Sequence, residues 1–139
     1  FLCNNMILGI SILAVTEAFV LGAKLGLTNQ ALFDVASAAS GQCWALTTNC
    51  PVPGPVPTSP ANRDYQPGFA GALMAKDLEL ALSAVERTGT AAGLGPRAAR
   101  IYRRFADEGG AGRDFSGIVT VIRENSADTK RADSAKVTE

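Results

Sequence analysis

The stretch from Met6 to Leu25 constrains the fold of this chain most strongly, because it is apolar on nearly every side. Glu17 and Lys24 are its only charged residues. A surface helix needs a polar face, so a helix that is hydrophobic all round lies inside a bundle or inside a membrane. About 25 residues make a helix about 38 Å long. The shorter helices downstream can each pack one apolar stripe against it.

This helix has two interpretations, a membrane span and the buried helix of a bundle. About 20 apolar residues are enough to cross a bilayer. Against a span stand the charge of Glu17 in mid-helix, the glycines along the helix and the absence of flanking basic residues. A secretory signal would begin with positive charge, which segment 1–5 lacks. We therefore predict an all-α fold without membrane contact: a helical bundle around a long central N-terminal helix.

The composition excludes several classes of function. A length of 139 residues allows one domain with a modest core, and a formal net charge of zero provides no long-range field for nucleic acid. Histidine is absent, which removes Ser-His and Cys-His nucleophiles and histidine-based metal sites. Cys3, Cys43 and Cys50 have no metal-ligand spacing, and their odd number argues against a disulfide framework. We predict a cytoplasmic protein with free thiols, no metal site and no nucleic-acid partner.

Helices are predicted over 31–39 and 68–88 from their caps and their apolar periodicity. Thr28 or Asn29 is suited to the N-cap of the first helix. Its inward stripe comprises Leu32, Val35 and Ala36. Gly89 is suited to the C-cap of the second helix. The inward face of that helix comprises Phe69, Leu73, Ala81, Leu82 and Val85, with Leu78 at its border.

Two more helices are predicted in the C-terminal half. One begins near Pro96, since proline favours the first helical position, and it ends at Gly109. Its buried stripe comprises Ala98, Ile101, Tyr102 and Phe105. Asp114 is suited to cap the last helix. The core residues of that helix are Phe115, Ile118, Val119 and Ile122. Segment 126–139 is polar and has no apolar period, which predicts a disordered tail.

Segment 50–60 is rich in proline, so it cannot form a helix or a central strand and should be extended. It is either an interdomain linker or an ordered loop on the surface of the domain. Trp44 lies before it, and Tyr65 and Phe69 lie after it. These aromatic residues favour an ordered loop.

Two motifs with possible chemistry have simpler explanations. Residues 93–98 match the G-x-G-x-x-G/A dinucleotide fingerprint, but that motif works only between a strand and a helix, and here a helix end precedes it. We attribute the match to chance. Arg97, Arg100, Arg103 and Arg104 form a basic helix face that could meet a phosphate. A solvated face is the commoner outcome.

Several short motifs, taken in order, carry a resemblance to a known family. They are Cys3-Asn4-Asn5-Met6, Glu17-Ala18, Lys24-Leu25-Gly26-Leu27, Gly41-Gln42-Cys43-Trp44, Pro51-Val52-Pro53-Gly54, residues 65–69, Leu73-Met74-Ala75-Lys76-Asp77-Leu78 and Asp114-Phe115-Ser116. Together they resemble the C-terminal helical domain of the 3-hydroxyisobutyrate dehydrogenases, within the β-hydroxyacid dehydrogenase family. The resemblance implies a fold like the 6-phosphogluconate dehydrogenase C-terminal domain. The Cys-Trp and Pro-Val-Pro-Gly motifs favour these enzymes over their glyoxylate-reducing relatives.

The resemblance implies an NAD-dependent enzyme that oxidises 3-hydroxyisobutyrate to methylmalonate semialdehyde in valine breakdown. Residues 1–125 would be its helical substrate and dimerisation domain, and an N-terminal Rossmann domain, absent from this sequence, would hold most of the NAD. The implied partners are a small hydroxy acid and further copies of the chain. The implied location is the cytoplasm, or the mitochondrial matrix in a eukaryote.

The resemblance also assigns site residues. Asn5 and Trp44 would bind the substrate, and Lys76 and Asp77 would lie beside the cofactor. A lysine that handles the hydroxyl proton is expected one helical turn before Asn5, where this chain has Phe1. We therefore expect the 139-residue chain to be inactive by itself. We also expect Trp44 to pack near Asn5, and the first helix to be the most buried element.

Three hypotheses about function stay open at this point. The first is a dehydrogenase of which the sequence contains only the second domain. The second is a helical interaction or oligomerisation module that is derived from the enzyme but lacks its chemistry. The third is a related β-hydroxyacid dehydrogenase with another small hydroxy acid as its substrate. Asn49 replaces a tyrosine found in some relatives, which would change the polarity of the substrate pocket.

Overall fold

The fold is all-α, as predicted. The computed structural model describes residues 1–66 and 68–126, and these residues contain helices and no strand. The helices are α1 (Leu2–Lys24), α2 (Asn29–Ala36), α3 (Trp44–Thr47), α4 (Gly71–Thr88), α5 (Leu94–Phe105) and α6 (118–126). Short 3-10 turns lie at Pro60–Arg63 and Phe115–Gly117, and a π turn follows α5 at Ala106–Gly110. Residues 127–139 of the predicted disordered tail lie outside the described residues.

Helix α1 is central in its contacts, since it packs against α2, α3, α4 and α5. Its buried side includes Ile12 and Phe19. The helix is buried on one side only in this chain by itself, since the side chains of Ile7 and Leu21 are 66% and 58% exposed. The apolar side opposite the bundle therefore faces outward, and in this chain no other helix covers it within the described residues.

Among the described residues, α1 is also the one helix long and apolar enough to cross a membrane. Length and composition alone do not separate a membrane span from the core helix of a soluble protein. The packing of Ile12, Phe19 and Val20 against the other helices supports the second interpretation.

Helices α4 and α5 form an antiparallel pair that packs across α1. Where α5 approaches α1, a Cβ at Gly95 would lie 2.7 Å from the sulfur of Met6, so the flexible methionine side chain would have to move. The buried face of α4 is rotated by part of a turn relative to the face that the sequence predicts. Leu78, expected at the border, is fully buried, whereas Leu73 is half exposed. Met74 also enters the core.

Several helix ends agree with the sequence. The Thr28 hydroxyl accepts a hydrogen bond from the backbone N–H of Ala31 at the start of α2. Gly89 ends α4 with a positive φ of 69°. Helix α5 starts at Leu94, two residues before Pro96. In α2, Val35 is exposed although the sequence predicted it to face inward.

The proline-rich segment is an ordered loop, as predicted. Pro51 and Val52 are buried, and the hydroxyl of Tyr65 donates to the carbonyl of Pro51 over 2.8 Å. The side chain of Asn62 accepts from the backbone N–H of Gly54 and donates to the carbonyl of Val56. Because these bonds connect the segment to the domain, the interdomain-linker interpretation is wrong.

Candidate active site

Two of the residues predicted for the site meet directly, although 72 positions separate them in the sequence. The Nδ2 atom of Asn5 on α1 donates to Oδ2 of Asp77 on α4 over 2.8 Å. Both side chains are partly buried. The bond therefore connects the N-terminal end of α1 to the second turn of α4, and it orients a polar amide in mainly apolar surroundings.

A shallow cleft of about 120 Å³ opens beside this bond. Its lining comprises Phe1, Leu2, Asn5, Asp77 and Leu80. The Phe1 side chain, at the expected lysine position, is fully exposed, and its backbone carbonyl accepts from the N–H of Asn5. A phenylalanine side chain has no proton to donate or accept. The cleft thus contains an amide and a carboxylate, and the Phe1 side chain contributes no acid or base to it.

Asn4 adds a polar group that the sequence analysis did not single out. Its Nδ2 donates to Oδ1 of Asn5 over 3.1 Å, so Asn4, Asn5 and Asp77 form a short chain of hydrogen bonds. The Asn-Asn dipeptide was visible in the sequence, but only the position of α4 shows which amide faces the carboxylate.

Lys76 is exposed on α4, next to Asp77 in the sequence. Successive residues on a helix point about 100° apart, so Lys76 and Asp77 do not share one direction. Lys76 does not line the cleft beside Asn5, and its positive charge is exposed to solvent.

Trp44 lies on the other flank of α1. It begins α3, is 52% exposed and lines an open cleft of about 420 Å³ together with Asn4, Ile7, Leu8, Ser11 and Cys43. Asn5 does not line this cleft. Trp44 and Asn5 line different clefts beside α1, and the expectation that Trp44 packs near Asn5 stays a prediction.

A second polar cluster, around Asp114, is buried and structural. Its carboxylate accepts from the backbone N–H of Phe69 at 2.7 Å, from Nδ2 of Asn49 at 3.0 Å, and from both the backbone N–H and the hydroxyl of Ser116. Asp114 is 1% exposed. Asn49 therefore bonds within this cluster, and the change in pocket polarity that the resemblance implies for it stays a prediction.

Burial raises the pKa of three groups away from the cleft. The pKa of Tyr102 lies well above its usual value because the ring is fully buried and because the Asp114 carboxylate is close. Its hydroxyl donates to the carbonyl of Phe115. Burial likewise raises the pKa of Tyr65 and of the Cys50 thiol, and the Val52 backbone partly offsets the effect at Cys50. These groups stay protonated at neutral pH and serve packing.

The structure agrees with the simpler explanations of the glycine-rich motif at 93–98 and of the basic face on α5. Residues 93–98 follow the end of α4 rather than a strand, so the glycines do not form a dinucleotide loop. On the basic face, Arg103 pairs with Glu79 and Arg104 pairs with Glu108 at the surface. Across residues 1–66 and 68–126, no three Cys, Asp or Glu side chains come together as a metal site.

Comparison with known proteins identifies relatives of the chain. Residues 2–122 match the family described as the NAD-binding domain of NADP-dependent 3-hydroxyisobutyrate dehydrogenase. A probable 3-hydroxyisobutyrate dehydrogenase of Mycobacterium tuberculosis is 58% identical over 121 residues, which cover 87% of this chain and 41% of that protein. The mitochondrial 3-hydroxyisobutyrate dehydrogenase of Drosophila melanogaster is 38% identical over 123 residues, or 88% of this chain and 38% of the relative. The chain thus spans about two fifths of the length of these curated relatives.

Solved structures agree with the fold. The structure of Mycobacterium tuberculosis 3-hydroxyisobutyrate dehydrogenase with L-serine matches with a TM-score of 0.85 at 57% identity, over 88% of this chain and 42% of that one. A 3-hydroxyisobutyrate dehydrogenase of Salmonella typhimurium matches with a TM-score of 0.75 at 22% identity, over 86% of this chain and 40% of the other, and supports the fold alone. The matched part is the C-terminal helical part of these structures.

Proposed function

The chain belongs to the 3-hydroxyisobutyrate dehydrogenase family, and from this membership we propose that it is the C-terminal helical part of an NAD-dependent dehydrogenase. The whole enzyme would oxidise the hydroxyl group of 3-hydroxyisobutyrate, a step of valine breakdown. Residues 1–125 would provide substrate-binding and subunit contacts, and an N-terminal Rossmann domain would provide most of the NAD site. The observation that carries the proposal is the bond between Asn5 and Asp77 beside an open cleft.

In this proposal Asn5 binds the hydroxy acid. Its amide offers both a donor and an acceptor, which suits a hydroxyl group and a carboxylate on one small molecule. Lys76 supplies a positive charge that suits the substrate carboxylate or the phosphates of NAD. Trp44, on the opposite flank of α1, bounds the larger cleft with an apolar ring.

This chain would form only one edge of the NAD site. Bound NAD supplies the acceptor for the hydride. The described residues contain no strand, so they lack the strand-turn-helix unit that holds a pyrophosphate. Lys76 would hold the cofactor from the helical side, with Asp77 beside it.

We expect no dehydrogenase activity from the 139-residue chain. Oxidation of the hydroxyl requires a group that takes its proton, and the phenylalanine side chain at position 1 cannot do so. The test is NADH absorbance with purified chain, NAD and 3-hydroxyisobutyrate, with the full-length Mycobacterium tuberculosis relative as the positive control. Turnover by the chain above a no-protein blank would contradict the proposal.

A different small hydroxy acid is the second candidate substrate. The matching Mycobacterium tuberculosis structure is that of the enzyme with L-serine, which is itself a small 3-hydroxy acid. An Asn amide with a neighbouring cation recognises the hydroxyl and carboxylate that both molecules share. Comparing kcat/KM for the two compounds in a full-length enzyme carrying this domain distinguishes them.

A helical interaction module is the third candidate, and Phe1 at the lysine position favours it. In both this case and the enzyme, the open and mainly apolar groove between α1 and α5 suits a partner. We propose a second copy of the chain at the groove between α1 and α5. Glu17 and Arg97 line this groove without pairing with each other, so two copies related by a two-fold axis could exchange ion pairs. Within this groove, Glu17 lies about 18 Å along α1 from Asn5.

The oligomer and the location are each open to a direct test. Sedimentation equilibrium of the chain should give a dimer, and Glu17→Arg should weaken it because like charges would then meet. A dimer that is indifferent to Glu17→Arg would place the interface elsewhere.

The fly relative is named as mitochondrial, and for this chain we propose the cytoplasm, or the mitochondrial matrix if the source is a eukaryote. Cell fractionation with an antibody against the chain tests that location.

A further inference from the structure

We infer that Asp77 acts as a positioning residue for Asn5: its carboxylate determines which end of the Asn5 amide faces α4 and which groups the amide offers to a ligand. The inference rests on the proposed function and replaces the direct cofactor contact that the resemblance implied for Asp77. It is carried by the 2.8 Å bond between Asn5 Nδ2 and Asp77 Oδ2 at the lip of the cleft.

The chemistry of the two groups determines the direction of the bond. An ionised carboxylate can only accept hydrogen bonds, whereas an asparagine side chain has an accepting end and a donating end of nearly equal size. The assignment of those ends depends on the hydrogen-bond partners. Because Asp77 lies within hydrogen-bond distance, Nδ2 of Asn5 must face it. The reverse orientation would bring the Asn5 oxygen against a carboxylate oxygen, and two acceptors repel each other.

The second partner of Asn5 agrees with this orientation. Nδ2 of Asn4 donates to Oδ1 of Asn5 over 3.1 Å, so each end of the Asn5 amide meets a group of the opposite kind. Nδ2 has two hydrogens and Oδ1 has two lone pairs. After both bonds are made, the amide retains one N–H and one lone pair for a ligand. A hydrogen bond to a charged partner also polarises the amide.

Electrostatics argue against a direct contact of Asp77 with the ligand. A hydroxy acid and the phosphates of NAD both carry negative charge, and a like charge at contact distance costs energy. When Asp77 bonds to Asn5 instead, the ligand meets the neutral amide of Asn5, and the carboxylate only holds that amide in place.

Nuclear magnetic resonance on the 139-residue chain tests the bond without any activity. In wild-type protein, the Asn5 side-chain proton that faces Asp77 should be shifted downfield and protected from exchange with water. Asp77→Ala should remove the shift and accelerate the exchange about tenfold, the scale of one charge-assisted hydrogen bond near a surface. Asp77→Glu should restore part of the protection. An Asn5 amide unaffected by Asp77→Ala in a folded variant would overturn the inference.

Asp34 offers a matched control in the same chain. Its Oδ1 accepts from Nε2 of Gln30 over 2.7 Å on exposed α2, far from the cleft, so it is also an amide-carboxylate pair. Asp34→Ala should alter the Gln30 amide and leave the Asn5 amide unchanged. A change at Asn5 of the same size in both variants would mean a general loss of structure and would contradict a local role.

Kinetics of a full-length enzyme that carries this domain with Phe1→Lys separate positioning from cofactor contact. Asp77→Ala should raise KM for the hydroxy acid about tenfold, with kcat and KM for NAD within twofold, as expected when binding is lost equally in ground and transition states. In an Asn5→Ala background the same change should have almost no further effect, because the two residues act as one unit. A rise in KM for NAD instead would return Asp77 to the cofactor and overturn the inference. An enzyme inactive even with lysine at position 1 would contradict the proposed function, while the resonance data would still decide the bond.

Discussion

The domain contains two polar clusters that differ in burial and in how many of their hydrogen-bonding groups have partners within the fold. The cluster around Asp114 is sealed: the carboxylate is buried, and it accepts from Asn49, Phe69 and Ser116. The cluster around Asn5 and Asp77 is only partly buried and opens on a cleft. A polar group whose partners all lie within the fold holds that fold together. A polar group that is oriented but still has free donors and acceptors is prepared for a ligand.

The Asp114 cluster also explains how the open end is supported. The N–H of Asp114 donates to the carbonyl of Tyr65, and the N–H of Phe115 donates to the carbonyl of Phe69. These bonds fix the segment that leads into α4, whose second turn carries Lys76 and Asp77. The sealed cluster is thus connected to the start of the helix that carries Asp77.

The largest expected effect is on the chemistry of the open end. In a full-length enzyme carrying this domain, Phe1→Lys should raise kcat/KM by about 100-fold or more, the usual contribution of a positioned acid or base. Phe1→Met is the matched control, since it is flexible but has no proton to transfer. Equal activity of Phe1→Lys and Phe1→Met would remove position 1 from the reaction and favour the interaction module.

A large effect on stability is expected at the sealed cluster. Asp114→Ala leaves the buried amide groups of Asn49 and Phe69 without an acceptor, which should cost about 3 kcal/mol of unfolding free energy. For a domain of this size the melting temperature should fall by about 10 °C. Asp34→Ala at the surface should change stability by less than about 0.5 kcal/mol. Similar melting temperatures for the two variants, measured by circular dichroism, would contradict the contrast.

Lys76 should give the opposite signature to Asp114. Lys76→Ala in the full-length enzyme should lower kcat/KM about tenfold through the loss of one charge-assisted contact, while the melting temperature stays nearly unchanged because the side chain is exposed. The matched control is Lys24→Ala, at the far end of α1. If steady-state kinetics of Lys76→Ala equal those of the wild type, the positive charge has no part in the site.

The smallest effect concerns Tyr102 at alkaline pH. Burial is the main reason that the pKa of Tyr102 is higher in the folded chain than in the unfolded chain. The phenol therefore stabilises the fold fully at pH values where both forms are protonated. This contribution decreases as pH rises above about 10, where the unfolded form ionises. At neutral pH, Tyr102→Phe should cost about 1 kcal/mol, because the buried carbonyl of Phe115 loses its donor. The difference between the two proteins should shrink in melts above pH ~10. A constant difference over the whole pH range would mean that Tyr102 does not titrate in unfolding.

Local features were predictable because they depend on a few adjacent residues. Thr28 caps α2 because its hydroxyl reaches an N–H three residues ahead, and Gly89 ends α4 because glycine adopts positive φ without a steric penalty. The family motifs also identified Asn5 and Asp77, which the structure brings into contact. Their roles in binding remain proposals.

The sequence by itself determined the helical fold, the helix caps and the ordered proline-rich loop, since chain stiffness, periodicity and capping act over short distances. Tertiary structure decided which side of each helix is buried. On α4 the buried residue is Leu78 rather than Leu73, and the outer side of α1 is exposed. It also decided that Asn49 bonds to Asp114 and Asn5 to Asp77. The physical reason is that burial and hydrogen bonding depend on which surface a helix meets, and residues 72 positions apart meet only after the helices have packed.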